Sequence, residues 1–350
     1  MCCAVLNVLI LSVFPLSADG LVVKNYSHSQ KQKQDEKSAK WLQACLAHKR
    51  IVFIGPSTSK FDYLSLAYLA EYGRLPSEEV ISFGQGRWGP NPLNELGFKH
   101  NPAPPPWEVI APITKPGCTA LGGDWETYMR YSNLVFNGHE VCDCYKFGKW
   151  AGAYDMYNST ENRIYTNPNT NTMISFFQWF GDIVPPRGTF DISPLLSPTP
   201  VALHQQQCPV GQFPGKWAWS LTLAHFLSQV VRYAKPTHVV VSSSFWPIHP
   251  ENKQLWEEVA AAGVESVMDS GGKVMWRSTP QRVGFPAYPT PRVDMTPFVN
   301  KGWSVFPAQQ IVAQFQGAQS DDAIFYDFAH IRAHTQCHLT QTFVQTQLCV

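Results

Sequence analysis

The chain has 350 residues, a net charge of +1, 44% hydrophobic and 13% aromatic residues. Its 15% charged residues fall well below the usual quarter, so the chain can bury a sizeable core, which excludes wholesale disorder. Its basic residues near the start (Lys31, Lys33, Lys37 and Lys40) are scattered rather than arranged as a stripe, which excludes a nucleic-acid footprint.

Residues 2–16 form a mostly apolar run that ends in Ser17-Ala18-Asp19-Gly20. Interrupted by Asn7 and Pro15, it is too short for a comfortable membrane crossing. A signal-peptide core cleaved near Ala18 fits better, and the missing positive n-region keeps a short signal anchor as the alternative. The expected organisation is therefore a signal peptide or short anchor over 1–18, a flexible polar leader over 19–40 and one folded domain over 41–350. Apart from an uncleaved N-terminal segment, no membrane contact is expected. The sequons Asn25-Tyr26-Ser27 and Asn158-Ser159-Thr160 make Asn25 and Asn158 candidate glycosylation sites and agree with a secreted or secretory-lumen (Golgi or extracellular) protein. Beyond Cys2 and Cys3 lie Cys45, Cys118, Cys142, Cys144, Cys208, Cys337 and Cys349. In an oxidising compartment these predict up to three disulfides and one leftover thiol, with connectivity open. Cys142-Asp143-Cys144 is too short for a zinc pair and reads as two cysteines bridging to different partners.

Trp41, Leu42, Cys45 and Leu46 predict a short helix, and residues 50–54 a β-branched strand. After Ser57, FDYLSLAYLAEYG predicts a packed helix of about 12 residues stopped by Gly73. Residues 79–83 predict a strand ending in Gly84-Gln85-Gly86. Residues 88–118 and 185–214 are loop-rich, and between them 161–165 and 173–179 read as strands. Residues 219–233 predict a helix ended by Pro236, 238–242 a short apolar strand, 254–262 a helix stopped by Gly263, and 273–277 the next strand. Strands alternating with helices predict an α/β domain with a parallel sheet covered on both faces and long loop insertions.

Ser57 follows a strand and opens a helix, where the helix N-terminus can help hold an oxyanion. The plainer use of such a serine is to cap the helix. Asp327 and His330, at i and i+3, supply an oriented imidazole, the general base that a nucleophilic serine needs. His334 and His338 extend the row, but i and i+8 lie roughly 12 Å apart along a helix, so no metal is expected. No cofactor is expected either. Trp88, Trp107, Trp125 and Trp150, near Arg87, Asp124 and Arg130, would stack on a sugar or simply pack.

Four segments carry a resemblance in order and spacing. They are IVFIGPSTSKFDYLSLAYL, the run from Thr237 to Trp246, Trp276-Arg277-Ser278-Thr279-Pro280, and Asp327 with His330. Over about residues 41–348 the chain resembles the SGNH (GDSL) hydrolase superfamily, nearest its PC-esterase and trichome-birefringence-like acetyltransferase branch. The resemblance implies a three-layer α/β/α fold with a parallel sheet of flavodoxin-like order. It implies an esterase or O-acyl(acetyl)transferase working on an acylated substrate, with carbohydrate as the candidate carrier. Ser57 would be the nucleophile, His330 the base and Asp327 its orienting acid, with the Ser57 N–H, a Gly84 or Gly86 N–H, and Ser242 facing the oxyanion. Two positions depart from the family pattern. Pro56 replaces its Asp, removing an N–H and raising a reshaped turn, and Ser242 replaces its oxyanion-hole Asn, a donor whose loss costs roughly 3–4 kcal/mol. These departures make a catalytically inactive domain that binds glycan or protein the alternative.

Overall fold

The computed structural model describes residues 38–76, 136, 139–146, 159–181, 184–188, 219–243, 253–280, 295–316 and 331–349. The expected strand at 79–83, Gly84, Gly86, Asn25, Asn158, Asp327, His330 and the four loop tryptophans lie outside the described residues.

In chain order the strands are β1 (Arg50–Gly55), β2 (Glu140–Lys146), β3 (Ser159–Asn167), β4 (Thr172–Gln178), β5 (Arg187–Gly188), β6 (Trp219–Ser220), β7 (His238–Val241), β8 (Lys273–Arg277) and β9 (Ser304–Phe306). Seven of them form one sheet in the order β2-β3-β4-β1-β7-β8-β9, and β5 and β6 pair separately. The sheet is mixed, which corrects the expectation of a parallel one. Strands β4, β1, β7, β8 and β9 run parallel, while β2, β3 and β4 pair antiparallel. The cause is local. Only residues 168–171 separate β3 from β4, and a tight turn can join antiparallel strands alone. Asn171 takes a positive φ of 51° there, and the Asn167 side chain accepts the Asn169 N–H at 3.0 Å.

The helices are α1 (residues 38–45), α2 (Ser57–Tyr72), α3 (Leu223–Gln229), α4 (Lys253–Met268), α5 (Thr296–Asn300), α6 (Ala308–Gln316) and α7 (Ala333–Phe343), the last continuing into a π-turn over Val344–Leu348. Gly73 stops α2 as expected, in the left-handed region at φ 63°, and its N–H bonds Leu69 O at 2.9 Å. Two expected boundaries move. Helix α3 starts at Leu223 because Thr222 caps it, accepting the His225 N–H at 3.2 Å, while Trp219–Ser220 pairs with β5 instead. Helix α4 runs through Gly263. A Cβ there would lie 2.0 Å from the Trp303 ring, so this glycine makes a notch for an indole rather than a stop.

Alternate strand residues feed two cores. Ile51, Phe53, Ile174, Phe176, Val240 and Met275 pack beneath α1, α2, α6 and α7. Val52, Ile54, Met173, Phe177, Val239 and Trp276 pack beneath α3, α4 and α5. Helices therefore cover both faces. A disulfide joins Cys45 at the end of α1 to Cys349 near the chain end, across a separation of 304 residues. Cys337 is buried and its Sγ donates to Pro76 O, and Cys142 and Cys144 lie on β2. No described helix is long and apolar enough to cross a membrane.

Candidate functional site at the carboxyl edge of the sheet

Numbered by their order in the chain, the five parallel strands lie 2-1-3-4-5. Successive crossovers from β1 thus go to opposite sides, first to β4 and later to β7. Such a reversal opens a crevice beyond the carboxyl ends of the two strands that flank it, here β1 and β7. Gly55 ends β1 at that point, and glycine is required there by crowding. A Cβ would meet Ser59 Oγ at 2.3 Å and Ser242 O at 2.5 Å.

Pro56 is the N-cap of α2, with φ −83° and ψ −163°. Its carbonyl accepts the Ser59 and Lys60 N–H groups at 3.0 and 3.2 Å. An N-cap contributes a carbonyl to the helix and no N–H, so the proline fits without reshaping the turn. The helix start that the motif needs is kept. Ser57 is then the first helical residue, where the helix dipole favours negative charge. Ser57 is half-buried, whereas Thr58 and Ser59 are buried at 4% and 1% exposure. Of the three consecutive hydroxyls, only that of Ser57 belongs to a residue solvent reaches. The N-cap position itself is held by Pro56, not by Ser57.

Ser242 follows β7 and lies against Gly55. Its N–H is committed to Ile54 O at 3.0 Å, and its fully buried hydroxyl faces Thr279 Oγ1 at 3.5 Å. Any oxyanion contact from Ser242 would come from the hydroxyl. The structure thus brings Ser57 and Ser242 to one edge, at the ends of neighbouring strands.

Deeper on the α2 face lies a cluster that reading by motif missed in part. Asp62 and Arg277 are 8% and 2% exposed. Arg277 Nε stands 2.5 Å from Asp62 Oδ2, off-line for a hydrogen bond, and Nη2 donates to Oδ1 at 3.2 Å. Gln336 Nε2, from α7, donates to the same Oδ1 at 2.8 Å. Burial pushes the Asp62 carboxyl above the usual carboxylate range, outweighing the pull of Arg277 and Gln336. The sequence signal was an aspartate on the buried side of an otherwise apolar helix, within FDYLSLAYL.

His334 and His338 have a packing use. Both rings stand edge-on to Phe315, with centroids 5.9 and 4.9 Å away. Burial, then the neighbouring His334, lowers the His338 pKa.

Comparison with known protein families, with curated proteins and with solved structures gives no match to this chain.

Proposed function

We propose that the chain is a serine esterase or O-acyltransferase of the SGNH type, acting in the secretory pathway on O-acyl groups carried by a glycan. One observation carries the reading. Ser57, a half-buried residue, opens a 16-residue helix at the carboxyl end of the strand where the crossover direction reverses. The 2-1-3-4-5 order of the parallel strands agrees with the flavodoxin-like sheet that the resemblance implies. Ile331, the residue after His330, is buried in the α2-face core, which favours a return of the terminal segment to this face.

In this mechanism Ser57 Oγ attacks the acyl carbonyl carbon as His330 takes the hydroxyl proton, with Asp327 orienting the imidazole. The carbonyl oxygen becomes an alkoxide held by N–H groups at the start of α2 and by the Ser242 hydroxyl. Collapse expels the alcohol, which receives the proton from His330, and leaves an acyl group on Ser57. Water then completes hydrolysis, or a sugar hydroxyl completes transfer. The Cys45–Cys349 disulfide supports an oxidising compartment. The rival reading, a non-catalytic SGNH-like domain that binds glycan or protein, is favoured by Ser242, whose N–H is spent within the sheet.

Treatment with a fluorophosphonate probe followed by peptide mapping separates the two. The enzyme reading expects a label on Ser57 that disappears in Ser57→Ala. A folded wild type that takes no label leaves the binding reading standing.

A further inference from the structure

The proposed chemistry makes no use of Asp62, Arg277 or Gln336. Three elements meet in this trio: Asp62 from α2, Arg277 from the end of β8 and Gln336 from α7. Around it lie Phe53, Leu66, Leu339 and Phe343, all apolar and buried. A buried ion pair is a weak source of stability, since stripping water from two charges offsets most of their attraction. Its best-attested use is to select one register among several. Here the competing registers are easy to name. The Cys45–Cys349 disulfide anchors the far end of α7. At its near end, a slip along α2 by one turn, about 5.4 Å, would take Gln336 away from Asp62 and leave its buried amide without that acceptor. Arg277 ties the same carboxylate to the sheet.

The trio is also close to the candidate site along three paths. Asp62 is about 7.5 Å along α2 from Ser57 by helical rise. Arg277 runs on into Ser278 and Thr279, whose hydroxyl faces Ser242. Helix α7 begins two residues after the buried Ile331.

We propose that Asp62, Arg277 and Gln336 are positioning residues that lock α7 onto α2 and β8 in one register, so that the chain entering α7 at Ile331 is held to the edge that carries Ser57. The effect on rate rests on Ser57 being the nucleophile; the register itself does not.

The test uses the full chain carrying Gln336→Met, which keeps side-chain length and leaves the Asp62–Arg277 pair intact. Amide exchange over 331–343 should quicken by roughly tenfold while β1, β7 and β8 stay protected. Fluorophosphonate labelling of Ser57 should slow by roughly a hundredfold in protein that remains folded. Gln336→Glu can donate to Asp62 only when protonated, so it should regain protection over 331–343 at acidic pH and lose it as pH rises. Wild-type exchange over 331–343 in Gln336→Met overturns the proposal, and so does wild-type labelling in that variant. If the wild type itself takes no label, the nucleophile reading has failed, and the exchange result alone decides the register.

Discussion

On the α3–α5 face, Phe298 sits among Trp256, Trp276 and Trp303, with ring centroids 5.6, 5.2 and 4.9 Å away. On the α2 face, similar depth holds the Asp62–Arg277 pair, and Glu140 accepts from Tyr63 Oη at 2.7 Å and from Arg163 Nη1 at 3.1 Å. Glu71 there receives the Tyr165 hydroxyl and contacts His139 Nδ1, each at 2.8 Å. Aromatic packing gains by area and tolerates small slips, whereas charge-assisted hydrogen bonds fail when geometry shifts. The first face is thus built for cohesion and the second for placement. The candidate site sits at the edge of the second.

Substitutions on the two faces should therefore separate stability from reactivity. The largest loss of stability is expected for Trp303→Ala, which empties the notch at Gly263 and removes the indole donor to Ala260 O. A cost of about 3–5 kcal/mol in urea unfolding is expected, with Ser57 labelling of the remaining folded protein unchanged. A labelling rate that falls with stability would break the distinction. Opening the disulfide with Cys45→Ser and Cys349→Ser should cost about 2–5 kcal/mol, because it closes a loop of 304 residues on the α2 face.

A third prediction concerns pH. His238 Nε2 donates to Gln347 O, and burial, then Lys49 and Lys273, push its pKa down to about 4. The unfolded ring titrates near 6.5, so the unfolded state takes up the proton first. Stability is full above 6.5 and declines as pH falls toward 4, by up to about 3 kcal/mol from this group. Denaturant midpoints for wild type and His238→Gln should converge across that window; parallel curves would remove His238 as the cause. The smallest stability change is expected from replacing the pair outright. Asp62→Leu, Arg277→Met and Gln336→Met together should leave stability unchanged or raised, since apolar groups of similar volume replace a desolvated pair and its buried donor. Labelling of Ser57 should nevertheless fall, and a normal rate would show that placement on this face needs no charge.

Much of this architecture was legible in the chain. The β-branched run of β1, the left-handed stop at Gly73 and the apolar strands β7 and β8 follow from local sequence, and their order gave the α/β class. Other features depend on distant partners. Gly263 reads as a helix stop until Trp303 arrives from 40 residues away to fill it. The antiparallel β2-β3-β4 edge departs from the parallel sheet that strand–helix alternation predicts. Residues 219–222 read as helix because their apolar pattern cannot report the pairing of Trp219–Ser220 with β5. At the candidate site, Ser57 and Ser242 were visible as strand ends. Gln336 was not, since a polar group buried by tertiary contact looks in sequence like any other on a helix, and Asp62 showed only as an aspartate within the apolar run FDYLSLAYL. Pro56, which argued against the turn, proves compatible with it as an N-cap.

The proposed role of Ser57 as the acyl carrier is open to a direct test. Rapid acid quenching after mixing with an activated acetyl ester, followed by peptide mass mapping, tests it most directly. One acetyl group is expected on the peptide containing Ser57, appearing before steady state and absent in Ser57→Ala. Turnover of the ester without acetyl on that peptide, or equal turnover by Ser57→Ala, would contradict it.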